Sequence, residues 1–106
     1  MTTVVWRETE LSVNPPSEEI SVDTVKDFVF ISTDPATGAS CVLIDLSTGL
    51  EFSNQPDAPS FANDEAIVRI NSPSLGLVRD GVYELRVLFT DGDEAWAGTL
   101  VIPVVS

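Results

Sequence analysis

From Tyr83 to Phe89 every second residue is large and apolar. Tyr83, Leu85, Val87 and Phe89 share one face of an extended chain, and Val82, Glu84, Arg86 and Leu88 share the other. A period of two is the signature of a half-buried strand, since a helix would scatter those four residues around its circumference. Thr90-Asp91-Gly92-Asp93 follows directly. Asp-Gly tolerates the positive φ of a tight hairpin, so the chain is expected to reverse there and return through residues 95–104 as a second strand. In that strand Trp96 shares a face with Gly98, Leu100, Ile102 and Val104, which makes it a cap on the core. Pro103 cannot donate to a ladder, which places the end of this strand at a sheet edge.

Most of the remaining chain reads as further short strands. In residues 27–33, Phe28 and Phe30 face one way and Val29 and Ile31 the other. Four consecutive large apolar residues mark a central strand, or one whose outer face a partner covers. Asp34-Pro35-Ala36-Thr37-Gly38 then loops into residues 40–46, apolar on both faces through Val42, Leu43 and Ile44. Ser47-Thr48-Gly49 turns the chain into a short strand at 50–52. Residues 66–70 form another, and residues 71–76 a turn region. Residues 53–64 show no periodicity, contain Pro56 and Pro59, and are expected to form an exposed loop. A loop of that length in a small domain points to function or mobility. Phe61 within it is either a staple onto the core or an anchor for a partner.

The N-terminal stretch mixes Val4-Val5-Trp6 with an alternating piece, Thr9, Leu11 and Val13, before Asn14-Pro15-Pro16-Ser17. Neither proline can pair in a ladder, so an edge strand or one that switches sheets is expected here. The reading is an N-terminal arm or edge strand over residues 1–16 and a sandwich domain over 17–106.

At 106 residues the chain supports one two-layer core. An apolar content of 43% favours folding over disorder. No apolar run approaches the ~20 residues of a membrane-spanning helix, and Met1 to Trp6 lacks the basic region and apolar core of a secretory signal peptide. The net charge of −12 argues against phosphate backbones and anionic membranes as partners, so neither nucleic acid nor membrane binding is expected. It fits solubility, docking on a basic partner surface, or adaptation to high salt.

Cys41 is the single cysteine and histidine is absent. Cys–His and Ser–His–Asp catalysis are thereby excluded, zinc has too few suitable ligands, and no cofactor is expected. Cys41, beside Val42, Leu43 and Ile44, is expected to pack as a small buried hydrophobe. Asp91, Asp93 and Glu94 gather in one turn, but Ca²⁺ requires roughly six to eight oxygens, so a solvated turn is expected. Glu18-Glu19 and Asp64-Glu65 are adjacent carboxylates that point apart in a strand and read as surface charge.

Roughly seven or eight strands at near-regular spacing, with no amphipathic helical segment, give an all-β fold, an antiparallel β-sandwich. Leu77 and Asp80-Gly81-Val82-Tyr83 look like the corner opening the penultimate strand of an immunoglobulin-like sandwich, where a Tyr bonds back to the preceding corner. Val25-Lys-Asp-Phe-Val-Phe30, with Thr33-Asp-Pro-Ala-Thr-Gly38 and Val42-Leu-Ile-Asp-Leu46, is similar to the N-terminal modules of phage baseplate and tail proteins. Gly81-Val-Tyr-Glu-Leu-Arg-Val87, with Asp91-Gly92 and Gly98-Thr-Leu-Val-Ile-Pro-Val104, resembles the closing hairpin of those modules and of fibre-to-tail adaptor and capsid decoration proteins. Over residues 20–104 the chain thus resembles small immunoglobulin-like virion proteins of tailed bacteriophages.

The resemblance implies a non-enzymatic structural protein of the virion, assembled in the host cytoplasm. Its partners would be other virion proteins (major capsid, neck or tail protein), with a homo-oligomer in a symmetric assembly as a further option. Capsid decoration ranks ahead of a neck or tail adaptor, because a compact domain without a fibre extension suits a cap on a lattice. The candidate partner-binding residues are Val5, Trp6, Leu11, Pro15 and Pro16 on the arm and Pro56, Pro59 and Phe61 in the loop, with one exposed sheet face. Trp6 is either core or an interface anchor, since Trp dominates interface hot spots. The alternative is a carbohydrate- or cell-surface-binding β-sandwich module, which would need two or three exposed aromatics on one face. An enzyme fragment lacks a nucleophile–base set.

Overall fold

The alternating segment around Leu85 is the centre of a two-sheet sandwich. A computed structural model of the chain describes residues 4–6 and 16–105. The elements are β1 (Val4–Trp6), β2 (Val25–Ser32), β3 (Gly38–Asp45), β4 (Leu50–Glu51), β5 (Ser60–Ala62), β6 (Glu65–Asn71), α1 (Ser72–Leu75), β7 (Val82–Asp91) and β8 (Glu94–Pro103). One sheet has the order β1-β2-β6-β5 and the other β4-β3-β7-β8, with neighbouring strands antiparallel. The fold is therefore an all-β sandwich.

Tyr83, Leu85, Val87 and Phe89 are all buried and join Phe28, Phe30, Val68 and Ile70 of the facing sheet in one core. Each such side chain contributes about 1.5–3 kcal/mol by leaving water. The alternation therefore sets the register, because a one-residue slip would turn this row outward. The β7–β8 hairpin closes at Asp91 opposite Glu94, with Gly92 at φ +60° as the turn requires. At the other end of β7, the Val78 N–H donates to Tyr83 Oη at 3.1 Å. Asp80 and Gly81 are tied to the end of β8, Asp80 N–H to Val104 C=O and Val104 N–H to Gly81 C=O. Trp96 is buried in the core face of β8.

The N-terminal part contacts both sheets. β1 pairs with β2, whereas residues 17–20 run parallel to β8 through Ser17 opposite Val101 and Ile20 opposite Val104. Pro16 offers only its carbonyl, which accepts the Val101 N–H at 2.9 Å. β8 is the outer strand of its sheet, as Pro103 demands, and residues 16–20 lie along it.

Three features differ from the sequence reading. Residues 53–64 are not wholly a loop: β5 lies within them and pairs with β6. Asn63 and Asp64 both have positive φ, 51° and 64°, the backbone of a two-residue hairpin connection. Residues 71–76 contain the helical turn α1, capped by Asn71 Oδ1 on the Ser74 N–H and ended by Gly76 at φ 74°. Cys41 is half-buried rather than fully packed away, with its Sγ 3.7 Å from the Asp57 carbonyl.

Candidate functional site

The segment between β4 and β5 carries the chain from one sheet to the other, and side-chain amides hold it. Where β4 ends, Gln55 continues the ladder on β3. Its Nε2 donates to the Leu43 and Phe52 carbonyls at 2.9 and 2.6 Å, and its Oε1 accepts the Leu43 N–H at 2.8 Å. Asn54 Nδ2 donates to the Leu75 carbonyl at the end of α1, and the Phe52 ring meets Tyr83 edge-on at 5.2 Å. Pro56 and Pro59 are half-buried. Phe61, opposite Ala66 in the register, meets the Phe89 ring at 6.2 Å and 62°. Phe61 is thus a staple onto the core.

The arm residues lie elsewhere. Val5 pairs with Ile31 and Trp6 with Phe30 along the backbone, while Leu11 and Pro15 fall outside the described residues. Since β1 and β5 occupy opposite edges of one sheet, the Val5 and Trp6 positions lie apart from Phe61.

Both sheets present apolar side chains outward. Val25 and Ile67 are exposed on the β1-β2-β6-β5 sheet, beside half-buried Val29 and Ile31. Val82 and Leu88 are exposed on the other, beside half-buried Val42 and Ile44. Ion pairs interrupt these faces, Asp27–Arg69 between Val25 and Ile67 and Glu84–Arg86 between Val82 and Leu88. Arg69 donates from Nε and Nη2 to the two carboxylate oxygens of Asp27 at 2.8 and 3.2 Å, Arg86 pairs with Glu84 at 2.7 Å and Lys26 with Glu18 at 2.9 Å. The hydrogen bond from Arg69, with its charge, holds the Asp27 carboxyl below its usual range. Burial pushes the Cys41 thiol up.

Three open clefts run in sequence beside β5. The first, about 240 Å³, shares Ser60 and Ile67 with the second, about 340 Å³, and the second shares Asp57 and Arg69 with a third of about 130 Å³. The sequence reading marked this neighbourhood through Pro56, Pro59 and Phe61 but missed Asp57, Ile67 and Arg69. The available signal was Asn63-Asp64, two residues that tolerate positive φ, between Ser60-Phe61-Ala62 and the apolar-alternating 66–70 run. It would have paired residues 60–62 with the 66–70 run.

Among the described residues no group of three or more His, Cys, Asp or Glu is placed to hold a metal ion. Neither a scan against protein-family models nor a search of curated proteins gives a match. The geometry offers open clefts, outward apolar side chains and a strand edge.

Proposed function

We propose that this protein is a binding module with an immunoglobulin-like arrangement, serving as a non-enzymatic structural component of a tailed-phage virion. The observation that carries the binding reading is the pair of outward apolar faces, Val25 and Ile67 on one sheet and Val82 and Leu88 on the other. Ile67 stands opposite Val29 in the register, and apolar side chains grouped on an outward sheet face are characteristic of interaction surfaces. The immunoglobulin-like arrangement is supported by the orders β1-β2-β6-β5 and β4-β3-β7-β8, by the N-terminal contact with both sheets, and by the Tyr83 hydroxyl bonded to the corner at Val78.

Assignment to a virion rests on the resemblance of the 25–46 and 81–104 segments. Capsid decoration is the preferred site, with a neck or tail adaptor second. In this reading the charge of −12 keeps copies apart before assembly, and partner contact buries the sheet faces. A carbohydrate module would need an aromatic platform, and Phe61 and Trp96 are instead turned into the core.

The test is to mix the purified chain with phage heads and tails, sediment the particles, and image them by electron microscopy. Regular added density on one structure is the expected result. A monodisperse monomer that leaves both particle types bare overturns the virion assignment.

A further inference from the structure

β6 is longer than its neighbour on the outer side. It pairs with β2 from Glu65 to Asn71, whereas β5 covers only Glu65 to Ile67. Before Ser60 the chain leaves the β6 ladder for β3, where Gln55 bonds to Leu43 and the Asp57 carbonyl lies near Cys41, and Asp57 and Ala58 face Arg69 across a cleft. Successive residues of a strand direct their main-chain groups to opposite edges. The Ser72 N–H bonds to Thr24 C=O on the β2 side, so the alternation turns the N–H and C=O of Arg69 to the outer edge. No described residue is paired with Arg69 on that edge.

The surroundings of this bare edge are specific. The clefts of about 340 and 130 Å³ meet there, at Asp57 and Arg69. Ile67, 37% exposed, is an apolar step beside it. The Arg69 guanidinium is engaged by Asp27, while the Asp57 carboxylate has no ion pair or hydrogen bond among the described residues. Natural sheets blunt or cover their edges. Residues 16–20 do so for β8, whereas at Arg69 no described residue is paired with the outer edge of β6, and a cleft separates that edge from Asp57 and Ala58.

We propose that the β6 edge at Arg69 takes up an extended basic segment of a different protein as an added strand. Main-chain bonds to Arg69 would supply the pairing, an apolar side chain would cover Ile67, and a lysine or arginine would reach Asp57. The occupant is not a second copy. Two such chains each carry −12, and of the described basic residues Lys26, Arg69 and Arg86 are already paired within the chain, which leaves Arg79 as a single charge against that repulsion. This inference rests on the binding-module reading above and gives one of its surfaces a partner chemistry.

The test uses the ¹⁵N-labelled full chain and two short peptides of alternating valine and lysine, one with ordinary amides and one N-methylated at every second residue. The ordinary peptide is expected to shift the Arg69 and Asn71 amides and to slow hydrogen exchange at Arg69. N-methylation is expected to weaken binding about tenfold, because it removes main-chain bonds and leaves the charges. Asp57→Lys, at an exposed site that keeps the fold, is expected to weaken the ordinary peptide by a similar factor. Equal binding of both peptides, shifts centred on the acidic 91–94 turn, or no binding overturns strand addition. Such a failure with particle binding retained removes this inference alone, while loss of particle binding as well removes the reading beneath it.

Discussion

Trp96 of β8 donates its indole N–H to Ser32 Oγ of β2, 2.8 Å away, so a buried side-chain hydrogen bond joins the two sheets. Both residues are nearly closed to solvent, at 6% and 5% exposure. The Ser32 hydroxyl donates onward to the Asp34 carbonyl at 2.6 Å, which fixes its lone pairs toward the indole. The Trp96 ring stacks near Phe89 at 6.5 Å and 15°. A tryptophan fits inside a core this small because its polar handle has a partner.

Ser32→Ala is therefore expected to cost more than the loss of a small polar group. It strands the indole N–H in an apolar setting, a penalty of about 1–3 kcal/mol. Urea unfolding followed by tryptophan fluorescence measures it. A change below about 0.5 kcal/mol would mean that water reaches the indole.

Gly98 and Val4 define a second contact between the sheets. A Cβ built on Gly98 would lie 2.5 Å from Val4 Cγ1 and 2.6 Å from Val4 Cβ, so the missing side chain is the seat for β1. Gly98→Ala should displace β1 and cost about 1–3 kcal/mol, as overpacking does. Combining it with Val4→Gly should cost less than the sum of the two single changes. Amide exchange at residues 4–6 should accelerate in Gly98→Ala while the β7 amides stay protected. Strict additivity would show that the two sites do not touch.

What the sequence disclosed follows the physics of each element. The β7–β8 hairpin was legible because one face is wholly buried and the other solvated, which writes a period of two into residues 82–89. The Tyr83 corner was legible because a buried tyrosine hydroxyl needs a partner, and the outer position of β8 because Pro103 has no N–H to give a ladder. The 53–64 segment was opaque for a different reason. Gln55 holds β3 with its side chain, so no apolar periodicity marks the contact, and β5 is too short for alternation to show. The Arg69 edge was illegible because it depends on β5 being shorter than β6, a difference between two elements that neither encodes alone.

Tyr83→Phe separates the corner bond from the burial of the ring. The ring is 1% exposed and packs edge-on against Phe52, and the variant keeps both features. It deletes the acceptor for the Val78 N–H. Because Val78 is 58% exposed, water can partly replace the hydroxyl, and the expected loss is about 0.5–1.5 kcal/mol. Gly81→Ala should act on the same corner by crowding, since a Cβ there would stand 3.0 Å from the Tyr83 ring and hydroxyl. Thermal unfolding of the two variants and their combination checks the coupling. If Tyr83→Phe matches the parent, the bond contributes nothing to stability.

The Asp27–Arg69 pair sets an acid-side dependence whose sign is fixed by geometry. The hydrogen bond from Arg69 and its charge lower the Asp27 pKa from the usual 3.8, against a smaller opposing effect of burial. A carboxylate with a depressed folded pKa adds stability above its unfolded value and loses it as pH falls through the folded one. The contribution should therefore be present at neutral pH and fade below about pH 3.8. Its size is limited, because the Asp27 and Arg69 side chains are 44% and 67% exposed and salt screens such a pair. Carboxyl ¹³C titration of Asp27 should show the depressed midpoint in the parent and a rise toward 3.8 in Arg69→Gln. High salt should move the parent the same way. The Arg69→Gln variant also keeps the main-chain groups at the β6 edge, so it should still accept the valine–lysine peptide while the Asp27 midpoint shifts. Loss of peptide binding in step with the Asp27 shift would make the ion pair, rather than the strand edge, the element that the peptide reads.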